Sequence, residues 1–212
     1  MNSNTIVYTP QMLNMFEQCP IRYYFRYVKH IKMPQPENNF LLGKNIHALA
    51  AYHLKGEDIS LFELSEKEIH MLNILKKIPY FSYKIELVEN NLSSKIDNIW
   101  IGGRLDALVQ NNGEYFILDY KTGEIPSNIK ENFQTIIYLL CCDSLIKNYK
   151  SLNFIYINTK KGETEKIHLT EELKYYYINK LKLIHDKIQN FSLPKIRHNQ
   201  KCTSCPYFKI CV

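Results

Sequence analysis

The sequence predicts an α/β fold in which a mixed central sheet is flanked by helices. Three observations predict it. Strand-like segments recur at residues 83–89, 99–109, 115–121, 153–159 and 164–169, a helical stretch over 129–147 interrupts them, and Asn112-Gly113 lies between two of the strands as a hairpin turn. Strand and helix periodicities interleaved in a chain of 212 residues, long enough for one sizeable core, describe packed layers.

The elements follow in order. Thr9-Pro10 places a capping residue and a first-turn proline ahead of Met12, Leu13, Met15 and Phe16, and Cys19-Pro20 breaks the helix so begun. A second helix runs from Ile21 to about Lys29 through Arg22-Tyr23-Tyr24-Phe25-Arg26-Tyr27, where basic and aromatic side chains interleave. Two readings stand open for it. One is a platform that stacks bases, with Arg22 and Arg26 as nucleic-acid contacts; the other is an amphipathic helix with an aromatic core face and a solvated basic face. Beyond the Pro34/Pro36 loop, Leu42, Ile46, Leu49 and Ala50 mark a helix over 41–54, and a Glu-rich helical stretch over 60–77 follows. After the strands, a long helix over 170–189 leads into a cysteine-bearing tail. No internal repeat, low-complexity tract or linker divides the chain, so a single domain over 1–212 is expected.

Composition narrows the class. A net charge of +6, spread along the chain, suits a polyanionic partner such as nucleic acid, although part of it reflects a composition rich in Lys, Asn, Ile and Tyr. No run approaches the ~20 apolar residues of a membrane span, and the N-terminal residues carry no signal-peptide pattern. A cytoplasmic protein with no membrane partner is expected. Six cysteines in such a chain point to metal binding or buried thiols. Cys141 and Cys142 fall in an apolar helix, whereas Cys19, Cys202, Cys205 and Cys211 lie near the chain ends beside prolines and polar residues.

The hairpin carries the chemistry. With Asn112 and Gly113 as its loop, Asp106 stands opposite Asp119 and Arg104 opposite Lys121. The reverse face then collects Leu105, Ala107, Val109, Phe116, Leu118 and Tyr120, an apolar surface suited to packing under helices. Opposed carboxylates on neighbouring strands destabilise one another unless a cation compensates. Lys121 supplies some of that charge, and a divalent ion, which favours clustered carboxylate oxygens, would supply more. The bland alternative is a salt-bridged hairpin of Arg104, Asp106, Asp119 and Lys121.

Gly103-Arg104-Leu105-Asp106 followed by Leu118-Asp119-Tyr120-Lys121-Thr122-Gly123 closely resembles the nuclease core of the RecB-like branch of the PD-(D/E)XK superfamily. Gly43 with His47 is similar to that branch's upstream metal-ligand histidine, Gln134 with Tyr138 matches its Gln-x-x-x-Tyr element, and Thr9-Pro10 through Cys19-Pro20 to Tyr23-Tyr24 is similar to its opening. In order, these elements span essentially the whole chain.

The resemblance implies a restriction-endonuclease-like fold and a Mg- or Mn-dependent deoxyribonuclease. His47, Asp106, Asp119 and the backbone carbonyl of Tyr120 would bind the metal, Lys121 would position or deprotonate the attacking water, and Gln134 and Tyr138 would reach the DNA backbone or the lysine. Glu86 is the expected further acidic ligand, with Glu89 its close competitor. Taken alone, His47 reads as a core or surface histidine. The implied activity is that of an exonuclease or end-processing nuclease on single-stranded DNA or DNA ends.

Cys202-x2-Cys205-x5-Cys211 with the distant Cys19 forms a thiolate quartet whose spacing admits zinc or an iron-sulfur cluster. The three-plus-one distribution resembles the cluster of AddB-type nucleases and CRISPR-associated RecB-like exonucleases, which implies a 4Fe-4S clasp joining residues 1–30 to 195–212. Two rival readings are a catalytically silent DNA-binding or assembly subunit and a zinc-stabilised scaffold. Partners in a CRISPR-adaptation, recombination or phage complex are compatible with the sequence.

Overall fold

The computed structural model describes residues 6–33, 41–193 and 200–211. The Pro34/Pro36 loop and residues 195–199 and 212 of the expected clasp lie outside the described residues.

The chain opens with a short strand β1 (Val7–Tyr8) and helix α1 (Pro10–Gln18). Thr9 caps α1 by accepting the Met12 N–H at 3.3 Å, and Pro10 occupies its first turn. Cys19 ends α1 and caps α2 (Pro20–Tyr23), its sulfur accepting the Arg22 N–H at 3.4 Å. A π-helical turn, Tyr24–Val28, continues α2. Helices α3 (Leu41–Leu54) and α4 (Glu66–Lys77) follow, the latter closed by a reciprocal capping box between Ser65 and Glu68. Then come β2 (Lys84–Ile96), β3 (Ile99–Asn111), β4 (Glu114–Lys121), α5 (Phe133–Leu145), β5 (Ser151–Asn158), β6 (Thr164–His168) and α6 (Glu171–Gln189).

The six strands form one mixed sheet in the order β1-β3-β4-β5-β6, with β2 on the other edge of β3. Antiparallel pairs β2/β3, β3/β4 and β5/β6 combine with parallel pairs β1/β3 and β4/β5, the second of which encloses α5 as its crossover. The β3–β4 turn has Asn112 at φ 52° and Gly113 at φ 86°, the backbone that Asn-Gly favours. Its register is the expected one from Asn111 facing Glu114 to Ala107 facing Leu118, but the ladder ends there, so the expected pairs Asp106–Asp119 and Arg104–Lys121 do not form.

Both faces of the sheet are covered. Leu108, Ile117, Phe154 and Tyr156 pack with α1, α5 and α6, while Val109, Phe116, Leu118 and Ile155 pack with α3 and α4. One expectation about these faces is corrected. Leu105 does not share a face with Ala107 and Val109; it joins the α1/α5/α6 core, and Asp106 and Ala107 in succession turn toward α3 and α4. Strict alternation slips at Asp106 because its side chain leaves the ladder to bond other elements.

Because β2 occupies one edge of β3 throughout, β1 and β4 must share the other. The β1 pairs stop at Ile101 and the β4 pairs begin at Ala107, which leaves Gly102–Asp106 without a strand partner on that edge. This gap is where the candidate site forms. Gly102 permits it, since a Cβ there would lie 2.5 Å from the Leu92 carbonyl oxygen.

Candidate active site

The edge left open by the strand gap is satisfied by side chains. Tyr138, buried on α5, donates its hydroxyl to the Arg104 carbonyl at 2.6 Å. A Cβ at Gly103 would come within 2.9 Å of the Tyr138 ring, so the glycine is what lets the tyrosine approach. Asp106 Oδ2 accepts the Tyr120 backbone N–H at 2.9 Å, taking the place of a strand partner. The cleft between β3 and β4 is thereby held open by the residues that line it.

His47 reaches this cleft from α3. Its Nδ1 lies 3.0 Å from Asp106 Oδ1 and its Nε2 3.0 Å from the Tyr120 carbonyl oxygen. Both ring nitrogens face acceptors, an arrangement that only the doubly protonated ring satisfies in full. Burial works against the charged form. The hydrogen bond and charge of Asp106, with Asp119 and Glu89 behind it, outweigh burial and hold the His47 pKa above its ordinary value.

Asp119 is almost fully buried on β4. Burial pushes its carboxyl up to about 6; Lys121 and His47 pull it down, and the Asp106 charge adds to the rise. Gln134, on the first turn of α5, donates through Nε2 to Asp119 Oδ1 and accepts the Lys121 ammonium at 2.8 Å. Lys121 Nζ also stands 2.7 Å from Asp119 Oδ2 as an ion pair. Asp119, Gln134 and Lys121 thus close a ring of polar contacts. Asn132 fixes Gln134 by capping α5, accepting the Gln134 N–H at 2.9 Å.

The acid that completes the cluster comes from β2. Ligand atoms of His47, Glu89 and Asp106 all lie within 4.8 Å of one another, a geometry able to hold a metal ion. Glu89 has φ 50° and makes no ladder pair, falling between the Val88–Ala107 and Asn90–Leu105 pairs, and it bonds Arg104. Glu86, the expected ligand, lies outside this cluster. It sits in the bulge between the Ile85–Val109 and Leu87–Leu108 pairs and is ion-paired with Lys84 at 2.8 Å. The left-handed backbone at Glu89, invisible to a strand pattern, accounts for the difference. An open groove of about 820 Å³, lined along α3 by Gly43, Lys44, His47, Ala48 and Tyr52 among others, leads to the cluster.

The donor set suits a hard divalent cation. Two carboxylates and one imidazole converge, the Tyr120 carbonyl oxygen lies 3.0 Å from His47 Nε2, and the buried Asp119 carboxyl, pushed up by burial and by the Asp106 charge, stands near enough to Asp106 and His47 to feel their charges. Arg22 and Arg26 do not line the groove beside His47. Arg22 instead borders a small cavity whose walls include Cys19, Cys202, Cys205 and Cys211, and Tyr23 of the same helix is buried in the core. Arg22 Nε is itself buried, so the solvated basic face of the amphipathic alternative does not extend over Arg22.

A family model described as the PD-(D/E)XK nuclease superfamily matches residues 8–77 and 70–212. Among solved structures, a protein from Eubacterium rectale named as a candidate exonuclease is similar over 93% of this chain and 93% of its own, with a TM-score of 0.57 and 9% identity, a likeness of fold. The structure of SSO0001 aligns over 100% of this chain and 87% of its own with a TM-score of 0.45 and 16% identity. No curated protein matches. The family match takes in α3, the β3–β4 hairpin and α5, the elements that carry the converging acids, histidine and lysine, and the chain belongs to the PD-(D/E)XK nuclease superfamily.

Proposed function

We propose that the protein is a Mg- or Mn-dependent DNA exonuclease or end-processing nuclease of the RecB-like branch. The convergence of His47, Glu89 and Asp106, with Asp119 and Lys121 alongside, carries this reading. His47, Glu89, Asp106, Asp119 and the Tyr120 carbonyl would hold the cation. Bound there, it would polarise the scissile phosphate and lower the pKa of coordinated water. Lys121, held by Asp119 and Gln134, positions the attacking water and offsets charge on the phosphoryl oxygens. Gln134 sets the lysine's direction, and Tyr138 keeps the strand gap open from behind. Single-stranded DNA or DNA ends are the proposed substrate, and the chain works as one nuclease domain in the cytoplasm.

A second feature concerns Cys19, Cys202, Cys205 and Cys211. They line one small cavity, and burial followed by the proximity of the other three sulfurs pushes the Cys211 thiol up, which brings the four sulfurs together at one place. A 4Fe-4S cluster bound there would clasp residues 1–30 to 195–212 and turn its ligation energy into folding energy. Zinc is the alternative occupant. Protein partners from CRISPR adaptation, recombination or phage replication suit such an enzyme.

The test is cleavage of end-labelled single-stranded and duplex DNA by wild type and Asp119→Ala, with and without Mn or Mg. The expected result is metal-dependent loss of label from wild type alone. Activity that survives the substitution, or needs no metal, contradicts the mechanism.

A further inference from the structure

We infer that the groove along α3 is the path by which single-stranded DNA enters the site, with Tyr52 and Phe62 as a base-stacking platform and Lys44 and Lys55 as phosphate contacts; the assignment rests on the nuclease reading above. Lys44, Ala48, Tyr52 and Lys55 follow one another at steps of four, four and three, so they share one face of α3, and all four line the groove that contains His47 and Asp106. The floor between the lysines is Ala48 and Ala51, side chains small enough for a strand to lie close against the helix.

At the rim the surface is aromatic. The Tyr52 and Phe62 rings pack with centroids 5.3 Å apart and planes tilted by 43°, yet the residues remain 37% and 45% exposed. Leu61 beside them is 91% exposed. An apolar pair left open to water next to two lysines offers flat faces to unstacked bases and positive charge to their phosphates. A duplex keeps its base faces stacked inside the helix, so a single strand is the form that uses both features. Tyr52 stands five positions from His47, about 7.5 Å along the helix axis, and Lys44 and Lys55 are about 16 Å apart, a length that spans more than one nucleotide. Glu57 also lines the groove; with the acids of the cluster committed to a cation, Lys44, Lys55 and Arg104 outweigh it.

Binding of a labelled dT oligonucleotide, followed by fluorescence anisotropy across a salt series in the Lys121→Ala background with Mn present, which keeps every proposed metal ligand, tests the path. Tyr52→Ala should weaken binding about tenfold to a hundredfold without changing the salt slope, and Tyr52→Phe should retain it. The Lys44→Ala/Lys55→Ala pair should reduce the slope of log K against log salt by about 1.4. Duplex of the same length should bind more weakly. Tyr52→Ala and the lysine pair binding as tightly as the parent, or duplex binding more tightly than single strand, overturns the assignment. Cleavage by the wild-type protein, run in parallel, separates the two readings. Weakened binding by Tyr52→Ala without any wild-type cleavage would leave the groove standing and remove the nuclease. Wild-type cleavage with unaltered Tyr52→Ala binding would do the reverse.

Discussion

Asp119 should make the metal-free protein more stable in mild acid. Its folded pKa of about 6 stands above the ordinary value of 3.8 because burial disfavours the carboxylate, so the folded state binds this proton more tightly than the unfolded chain does. Stability therefore rises as pH falls from about 7 toward 4 and levels off below the unfolded pKa. Two units correspond to about 3 kcal/mol of differential interaction. His47, whose folded pKa is also raised, acts in the same direction near neutrality, so wild type alone would mix the two groups. The difference between wild type and Asp119→Asn reports the carboxyl together with its electrostatic coupling to His47, and the two act in the same direction. Urea unfolding in EDTA at a series of pH values should show that difference moving in favour of wild type by about 2 kcal/mol between pH 7.5 and 4, where the unfolded carboxyl is itself partly protonated. Divalent metal should reverse the trend, since binding requires an ionised Asp119 and a deprotonated imidazole nitrogen; Mn should therefore stabilise the protein more at pH 8 than at pH 5.5. A difference that stays flat, or that favours wild type more strongly as pH rises in EDTA, would refute the reasoning.

Three further outcomes follow from other contacts. Gln134→Ala removes the bridge between Asp119 and Lys121 while sparing the His47–Glu89–Asp106 cluster; cleavage should fall about 10- to 100-fold in single-turnover assays, with melting temperature lowered by less than Asp106→Ala lowers it. Gly102→Ala drives a methyl group onto the Leu92 carbonyl and should cost about 1–3 kcal/mol in chemical denaturation, more than Gly123→Ala, where a Cβ meets nothing within 4 Å. Protein purified without oxygen should be brown, and Cys19→Ala should lose both colour and thermal stability; stoichiometric zinc in colourless wild type would replace iron with zinc in that cavity.

The hairpin was legible because Asn112-Gly113 fixes the turn and alternation on both flanking strands fixes the pairing. The capped start of α1 was legible for the same local reason, Thr9 before Pro10, and the extent of α6 was legible to within its cap, Thr170. The second half of β2 was not, since Asn90, Asn91, Ser93 and Ser94 lack the branched and aromatic side chains of a strand, and their long partner β3 draws them into the sheet. β1 is two residues long and owes its existence to a parallel pairing with residues far along the chain. The face of Leu105 was misread because alternation carries no sign of the slip at Asp106. The same limit governs the acids: Glu86 and Glu89 differ by a bulge and one left-handed residue, both properties of the folded backbone. In the groove, the spacing of Lys44, Ala48, Tyr52 and Lys55 was present in the sequence as a helical stripe, but only the position of α3 against β3 gives that stripe a function.

Catalysis at the strand gap requires that these side chains bind a divalent cation. Titration of Mn into EDTA-stripped protein, followed by the loss of free-ion paramagnetic resonance signal, measures this directly. Wild type and Glu86→Gln should bind at the same tight site, Glu89→Gln should bind about 10-fold or more weakly, and Asp106→Asn should lose the site. Equal Mn binding by wild type and Asp106→Asn would contradict the assignment of the cluster as the metal centre.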